Sequence, residues 1–144
     1  MLLGTHDHTL DAKNRLTLPA KFRESFAAGL VVARGFEGCL RAFRREDWDG
    51  HVESRLAPLD SLSKETRRLQ RFYFAHATES ELDKQGRVMI PAKLLELAGI
   101  SKEVVVVGMS NHVEIWDRET WRTELAAVEG SAEDVAERLA AKND

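Results

Sequence analysis

Features that would indicate export, membrane insertion or disulfide bonding are scarce in this chain of 144 residues. Its single cysteine, Cys39, can form no internal disulfide and cannot hold a metal by itself, so we interpret it as a small, partly buried apolar residue. The N-terminal residues lack the positive charge and the apolar run of a signal peptide, and no stretch of about eighteen apolar residues occurs. We therefore expect a globular cytoplasmic protein that does not enter a membrane.

Signatures of catalysis and of metal binding are missing as well. The sequence contains no Gly-x-Ser-x-Gly, no Walker loop and no His-Glu-x-x-His. His6 and His8 share a predicted strand face, but no third ligand lies at a helpful spacing, and His51, His76 and His112 are isolated. The sequence predicts a protein that is not an enzyme and that needs no cofactor, metal or small-molecule substrate.

The chain has a small net charge, but its charged residues are unevenly distributed. The formal net charge of −3 argues by itself mildly against a nucleic-acid partner, because phosphates bind where the local potential is positive. Residues 129–144 carry five acidic and two basic side chains and account for this whole excess. Residues 10–23 instead carry one acid, Asp11, against four bases, which makes them the clearest basic spot outside the middle helix: Lys13, Arg15, Lys21 and Arg23.

An internal repeat organises the chain. The segment LDAKNRLTLPAKF, residues 10–22, aligns without a gap with LDKQGRVMIPAKL, residues 82–94, and the match continues after a shift of one residue. Such an ordered run indicates a duplication. We predict a first repeat over residues 1–53, a connecting helix over 54–76, a second repeat over 77–128 and an acidic C-terminal helix or tail over 129–144.

Each repeat begins with the pattern of a tight hairpin turn. An Asp is followed by two tolerant residues and then by Asn14 or Gly86, which can adopt a positive φ angle. In that geometry the first and fifth residues of the turn face each other. Asp11 should therefore hold Arg15, and the same pattern in the second copy should pair Asp83 with Arg87.

The rest of each repeat reads as short helices and buried strands. Pro19 and Pro91 are placed to start helices over residues 20–28 and 92–98, the second closed by Gly99. Apolar runs predict strands over residues 30–33, 39–43, 104–107 and 112–116. One amphipathic helix should start near Arg45, and another should be capped by Asp117. The sequence thus predicts an α+β protein built from two intertwined, pseudo-symmetric β units.

Two further helices are predicted outside the repeats proper. Residues 61–75 read as a helix with Ser61 or Ser63 as its cap, and its arginines favour a solvated face or an intersubunit salt-bridge surface: Arg67, Arg68 and Arg71. A short helix over 131–142 should open at Ser131, three residues before Asp134, in a capping-box spacing. The three tryptophans fit best in the core or in a subunit interface: Trp48, Trp116 and Trp121.

The doubled Asp-x-x-x-Arg turn, followed by Leu-Pro-Ala-Lys or Ile-Pro-Ala-Lys, closely resembles the MraZ family of the AbrB-like (SpoVT-AbrB) superfamily, over nearly the whole chain. The resemblance implies a tandem swapped-hairpin β barrel with pseudo-two-fold symmetry and short flanking helices. It further implies a ring-shaped homo-oligomer, associated with the nucleoid, that binds direct repeats in promoter DNA of the division and cell-wall gene cluster, including its own promoter. Asn14 departs from the glycine usual in the family, and we expect the same turn there.

These expectations assign roles to individual residues. Arg15 can make a bidentate contact to guanine and Asn14 can approach a base edge, while Lys13, Lys21 and Arg23 suit phosphates. The second turn carries Asp83, Lys84 and Arg87, but it lies within a stretch of four acids and three bases, so we expect it mainly to complete the fold or the ring. The rival hypothesis is a structural or protein-binding, antitoxin-like ring without direct DNA readout.

Overall fold

The computed structural model describes residues 1–143 and shows an α+β protein with antiparallel strands, which confirms the predicted fold class at that level. Asp144, the last residue of the predicted acidic tail, lies outside the described residues. Residues 1–143 form eight strands: β1 (Thr5–Thr9), β2 (Arg15–Thr17), β3 (Leu30–Arg34), β4 (Leu40–Arg44), β5 (Thr78–Ser80), β6 (Arg87–Met89), β7 (Glu103–Gly108) and β8 (His112–Asp117).

The helices begin close to their predicted positions. The α-helices within residues 1–143 are α1 (Ala20–Arg23), α2 (Arg45–Leu56), α3 (Lys64–Phe74), α4 (Ala92–Leu97) and α5 (Arg118–Lys142). α1 is shorter than predicted because the chain tightens into a 3-10 turn at Glu24–Phe26 before Gly29. Ser63, rather than Ser61, caps α3, and Gly99 closes α4 with a φ of +63°.

The prediction of a separate helix opening at Ser131 is wrong. α5 runs unbroken from Arg118 to Lys142, and the Asp117 carboxylate caps its start by accepting from two backbone N–H groups. Inside the helix, Ser131 Oγ donates to the carbonyl of Ala127 at 2.6 Å, so the serine hydroxyl is satisfied without ending the helix. None of the helices in residues 1–143 has the length and apolar character needed to cross a membrane.

The strands form two sheets in which the copies exchange strands. Within residues 1–143 the larger sheet has the order β1-β7-β8-β4-β3-β5, and β2 pairs with β6 in a second, two-stranded sheet. The arms of each predicted hairpin therefore separate after the turn, since β1 joins a strand of the second copy and β5 joins a strand of the first. The six-stranded sheet is open, with β1 and β5 at its edges.

The strand order follows the repeat. β1, β3 and β4 of the first copy correspond to β5, β7 and β8 of the second, and exchanging the copies leaves the order of the large sheet unchanged. β2 and β6 correspond to each other in the same way. The chain therefore has a pseudo-two-fold arrangement, with its centre between β4 and β8 and between β2 and β6.

The core lies between the two sheets. Leu16 and Val88 of the small sheet are fully buried against Val32, Val106 and Ile115 of the large one. The opposite face of the large sheet is covered by helices: Phe43 packs against Trp48 of α2, and Trp116 packs against Trp121 of α5. Helix packing thus accounts for the tryptophans within this chain.

Cys39 is buried, as the sequence predicts. Only 2% of its surface is exposed, and it packs with Val105, Val107 and Trp116 on the helix-covered side of the large sheet. Burial raises the pKa of its thiol far above the ordinary value, so it stays protonated and unreactive at neutral pH.

Candidate nucleic-acid interface

The first turn, residues 11–15, is closed by the Asp11 carboxylate. Asp11 Oδ1 accepts from the backbone N–H groups of Lys13 and Arg15, each at 2.9 Å, and Oδ2 accepts from Arg15 Nε at 2.6 Å. Asn14 takes the predicted left-handed conformation with a φ of 59°, and its N–H donates to the Asp11 carbonyl at 3.0 Å. The predicted turn and ion pair are confirmed.

The second turn, residues 83–87, repeats this geometry. Asp83 Oδ1 accepts from the backbone N–H groups of Gln85 and Arg87 at 2.9 Å, and Oδ2 accepts from Arg87 Nε at 2.7 Å. Gly86 has a φ of 76°. The duplication therefore preserves both the path of the backbone and the pairing of the carboxylate with the arginine.

Hydrogen bonds keep both turn carboxylates charged. The backbone N–H and then the guanidinium of Arg15 hold the pKa of Asp11 below its ordinary value, against a smaller opposing effect of desolvation. Arg87 lowers the pKa of Asp83 for the same reasons. Each arginine is thus fixed at its Nε by an ionised partner, and its remaining N–H groups point away from that bond.

The two turns lie at opposite ends of the short antiparallel pairing of β2 with β6. Arg15 of β2 is opposite Met89 of β6, and Thr17 is opposite Arg87. Further bonds lock the pair, from Leu18 N–H to the Gly86 carbonyl and from Ile90 N–H to the Asn14 carbonyl, both at 3.0 Å. We call β2 and β6 the ribbon. Because side chains alternate along a strand, one side of it is core and the other is the ribbon face: Arg15, Thr17, Arg87 and Met89.

The ribbon face brings together residues that the sequence placed in separate modules. Arg87 Nη1 lies 4.0 Å from Asp11 Oδ2, so the charged groups of both turns form one cluster. Thr17 lies opposite Arg87, and Met89, which is 60% exposed, lies opposite Arg15. Neither residue was named as a site residue from the sequence. The alternation of Arg15 with Thr17 and of Arg87 with Met89 was the signal that could have identified them.

The two arginines differ in how much of the guanidinium is occupied. Their side chains are almost equally exposed, 28% for Arg15 and 27% for Arg87. Arg87 Nη2 donates to the Gln85 side chain at 3.2 Å, whereas the Nη groups of Arg15 make no hydrogen bond within residues 1–143. In the first turn, Lys13 occupies the position that Gln85 has in the second, and its side chain has no acceptor for the guanidinium of Arg15.

The flanking bases divide into free and engaged side chains. Lys13 and Lys21 are exposed and form no salt bridge within the described part of the chain. Arg23 is half-buried: its Nε donates to the Leu18 carbonyl at 3.1 Å, and it packs so closely on Gly86 that a Cβ there would collide with its side chain. In the second copy Lys84 is exposed, and Lys93 lies 3.8 Å from Glu96.

The other predicted candidates lie away from the ribbon face. His6 and His8 do share a face of β1, and the ring of His6 packs edge-on against Phe22 at 5.2 Å. No group of three His, Cys, Asp or Glu side chains in residues 1–143 is arranged to hold a metal ion. On α3, Arg67 donates to the Leu62 carbonyl at 2.8 Å, while Arg68 and Arg71 are exposed.

The fold and the paired turns define a class of protein: a tandem duplication whose two copies exchange strands and present two carboxylate-held arginines on one ribbon. The sequence model of the family described as "MraZ protein, putative antitoxin-like" matches this chain twice, over residues 1–72 and 73–143. The chain belongs to the MraZ family.

Curated relatives resemble the chain over nearly its whole length. A protein of Thermoanaerobacter sp. (strain X514), named Transcriptional regulator MraZ, is 42% identical over 139 residues, which are 96% of each chain. A protein of the same name from Acetivibrio thermocellus is 40% identical over 140 residues, or 97% of each chain. The predicted family resemblance is therefore confirmed.

Proposed function

We propose that this chain is a transcriptional regulator, without catalytic activity, that binds double-stranded DNA with the ribbon face. The observation that carries the proposal is the juxtaposition of Arg15 and Arg87 on one side of a two-stranded antiparallel ribbon. A ribbon of this width fits the major groove, where arginine reads guanine through O6 and N7. The names of the two relatives support a regulatory role.

The first turn makes the main sequence-specific contacts with the DNA. Arg15 is held at Nε by Asp11 and has unoccupied Nη groups, so it can reach a guanine as a pre-oriented fork. Asn14 approaches a neighbouring base edge, and Lys13 and Lys21 neutralise phosphates. Arg23 contacts phosphates only through its Nη groups, because its Nε donates to the Leu18 carbonyl.

The second turn supports the first from the same face. Asp83 fixes Arg87, whose Nη2 is bound by Gln85, and Lys84 adds positive charge at the edge. Met89 is exposed beside Arg15 and suits the methyl group of a thymine. The second turn thus contributes shape, charge and the paired β6 strand, and less of the sequence discrimination.

The assembly multiplies this small contact. The two sheets enclose one core as an interlocked AbrB-type barrel formed from repeats 1–53 and 77–128, joined by 54–76 and followed by the acidic 129–144. Several such barrels form a ring, which binds direct repeats in the promoter of the division and cell-wall gene cluster, including the protein's own promoter. The affinities of the linked weak contacts then combine, because each bound contact raises the effective concentration of the next. The protein acts in the cytoplasm, at the nucleoid.

A second candidate function rests on charge. The net charge of −3 and the family's antitoxin-like description favour a protein-binding ring without direct DNA contact. The distribution of charge argues for DNA instead, because the acidic excess lies in residues 129–144, whereas four bases lie within residues 13–23, in or shortly after the first turn along the chain.

A gel shift with DNA from upstream of the chain's own gene tests the proposal. We expect saturable binding that exceeds binding to a scrambled duplex, weakens steeply as salt rises, and falls roughly 100-fold for Arg15→Ala because a bidentate base contact is lost. The matched control is Lys64→Ala, an exposed base at the start of α3, which packs with α2 on the opposite side of the large sheet. An Arg15→Ala protein with unchanged oligomeric mass and full affinity for this DNA would refute the proposal and favour the protein-binding ring.

A further inference from the structure

The strand that leads into the first turn carries two histidines on the ribbon side of the large sheet. His6 and His8 of β1 pair with Val106 and Val104 of β7. Both valines are buried in the core between the sheets, and directly opposed residues of an antiparallel pair share a face. The two half-buried imidazoles therefore lie at the edge of the large sheet, on the side that faces β2 and β6.

The histidines meet two of the bases that follow the first turn. The His6 ring packs edge-on against the Phe22 ring at 5.2 Å, and Lys21 Nζ lies 5.4 Å from the centre of the same ring. Arg23 is close enough to His8 that its charge helps to lower the pKa of that imidazole. We call His6, His8, Lys21 and Arg23 the first flank.

The first flank borders a small space above Gly4. Gly4 has a φ of +94°, and a Cβ placed there would lie 3.3 Å from His6 Nε2 and 3.5 Å from Lys21 Nζ. His6 Nε2 is buried and has no hydrogen-bond partner within residues 1–143. An anionic oxygen in this space would accept from Lys21 and from a protonated His6, which would give the buried nitrogen a partner.

The second copy has a different set of residues at the corresponding positions. A hydroxyl replaces each histidine, and a leucine replaces the arginine. The lysine that remains lies 3.8 Å from Glu96. The corresponding residues are Thr78, Ser80, Lys93 and Leu95. Among the described residues, the cluster of four bases therefore belongs to the first turn, to which the proposed function assigns most of the base readout.

Resting on the proposed function, we infer that His6 and His8 in their protonated form bind the DNA phosphates that border the first turn. The first flank then makes DNA binding tighter as the pH falls from 8 to 6. The chemistry is that of a charge-assisted contact between an imidazolium and a phosphodiester, which every DNA sequence offers. The flank adds affinity and pH dependence, while the turn supplies the discrimination between bases.

The surroundings of His8 favour its neutral form in the free protein. Burial lowers its pKa most, and the charge of His6 lowers it further, whereas Asp7 raises it and Arg23 again lowers it. The charged groups around the two histidines come from β1, α1, β7 and α5: Asp7, Lys21, Arg23, Glu103 and Arg118. A phosphate beside the imidazole favours the charged form, so DNA binding takes up a proton. Affinity therefore rises as the pH falls toward the lowered pKa and levels off below it.

Fluorescence anisotropy with DNA from upstream of the chain's own gene, at pH 8, 7 and 6 and one ionic strength, tests the inference. The wild type should bind roughly tenfold tighter at pH 6 than at pH 8. The double variant His6→Gln/His8→Gln should bind equally at both pH values, because glutamine is polar but does not titrate in this range. The matched control is His76→Gln, which removes a half-buried histidine between α3 and β5 and should keep the wild-type gain. His51 and His112 stay neutral above pH 6, because their pKa values are about 4.

Two further measurements separate phosphate contact from an effect on folding. The slope of log Kd against log salt should be steeper by about 1 to 2 at pH 6 than at pH 8 for the wild type, because each imidazolium neutralises a phosphate. Titration calorimetry in two buffers of different ionisation enthalpy should show proton uptake on DNA binding by the wild type and none by the double variant. Circular dichroism at both pH values checks that each protein is folded.

The remaining outcomes overturn the inference. Equal affinity of the wild type at pH 6 and pH 8 would refute it and leave the proposed function standing, as would a gain that the double variant keeps or that His76→Gln removes. A gain without a steeper salt slope would show that the histidines act through the protein and not on phosphates. Failure to bind this DNA at any pH would refute the proposed function together with the inference.

Discussion

The first and second turns have the same backbone and the same ion pair, yet they differ in the state of the arginine. Gln85 accepts from Nη2 of Arg87, whereas with Lys13 at the same turn position in the first copy both Nη groups of Arg15 are without a hydrogen bond within residues 1–143. One residue of the turn therefore separates an arginine bonded at Nε from one that is bonded at both Nε and Nη2. A duplicated unit can thus give its two copies different side-chain contacts without a change of fold, which is the basis of the division of roles proposed above.

The turns also differ at the left-handed position, where Asn14 stands in one and Gly86 in the other. Only the glycine lies beneath the side chain of Arg23, which packs across the second turn. The bulk allowed at this position is therefore set by a residue of the opposite copy. The two turns are equivalent in backbone but not in their surroundings.

The largest effect should come from removing each arginine in turn. We expect Arg15→Ala to weaken promoter binding roughly 100-fold and Arg87→Ala only about fivefold, because the second guanidinium is already bound by Gln85 and Asp83. Gln85→Lys should release Arg87 and raise the cost of Arg87→Ala toward that of Arg15→Ala. Fluorescence anisotropy at a fixed salt concentration measures the wild type, the three single variants and the Gln85→Lys/Arg87→Ala double variant, and equal losses for the two arginine variants would break the comparison.

A smaller effect should separate the two left-handed positions. Gly86→Ala should lower the free energy of unfolding by about 2 kcal/mol, because a left-handed alanine is strained and its Cβ collides with Arg23. Asn14→Gly should change it by less than about 0.5 kcal/mol, since asparagine already tolerates this conformation. Urea unfolding provides the measurement, and a Gly86→Ala protein as stable as the wild type would contradict the packing of Arg23.

The smallest effect should come from the turn carboxylates. Asp11→Asn and Asp83→Asn should each lower Tm by about 1–2 °C at pH 7, the former slightly more because Asp11 also faces Arg87. The folded protein holds both pKa values below 3.8, so the stabilisation is complete above pH 3.8 and is lost as the pH falls through the lowered values. Calorimetry from pH 7 to pH 3 should show the difference between wild type and variants shrinking only at the acid end.

Local features of this fold could be read from the sequence, because short-range chemistry determines them. The Asp-x-x-x-Arg spacing fixed both turns, and the Asp117 and Gly99 caps marked helix ends correctly. Strand pairing could not be read in this way, because an alternating strand such as β1 fits its own hairpin and an edge of the other copy equally well. The choice depends on long-range packing around Leu16 and Val88.

Two polar side chains, one at the candidate site and one in the tail, have partners that the sequence did not reveal. Arg23 was assigned to phosphates on charge alone, but its Nε is bound to Leu18 and its side chain packs on Gly86, 63 residues away along the chain. Ser131 after Gly130 resembles a helix start, yet the helix passes through because the hydroxyl bonds back to Ala127. In both cases a polar group found its partner inside the protein.

Strand exchange between covalently joined copies frees the two turns to evolve separately. In a homodimer of single repeats, any substitution in the turn would appear twice, so that a lysine at position 13 would require a lysine at position 85 as well. Here β1 and β5 lock the halves together within one polypeptide, and each half can be altered while the other keeps its residue. The fusion thereby turns a symmetric scaffold into one with two independently adjustable sides.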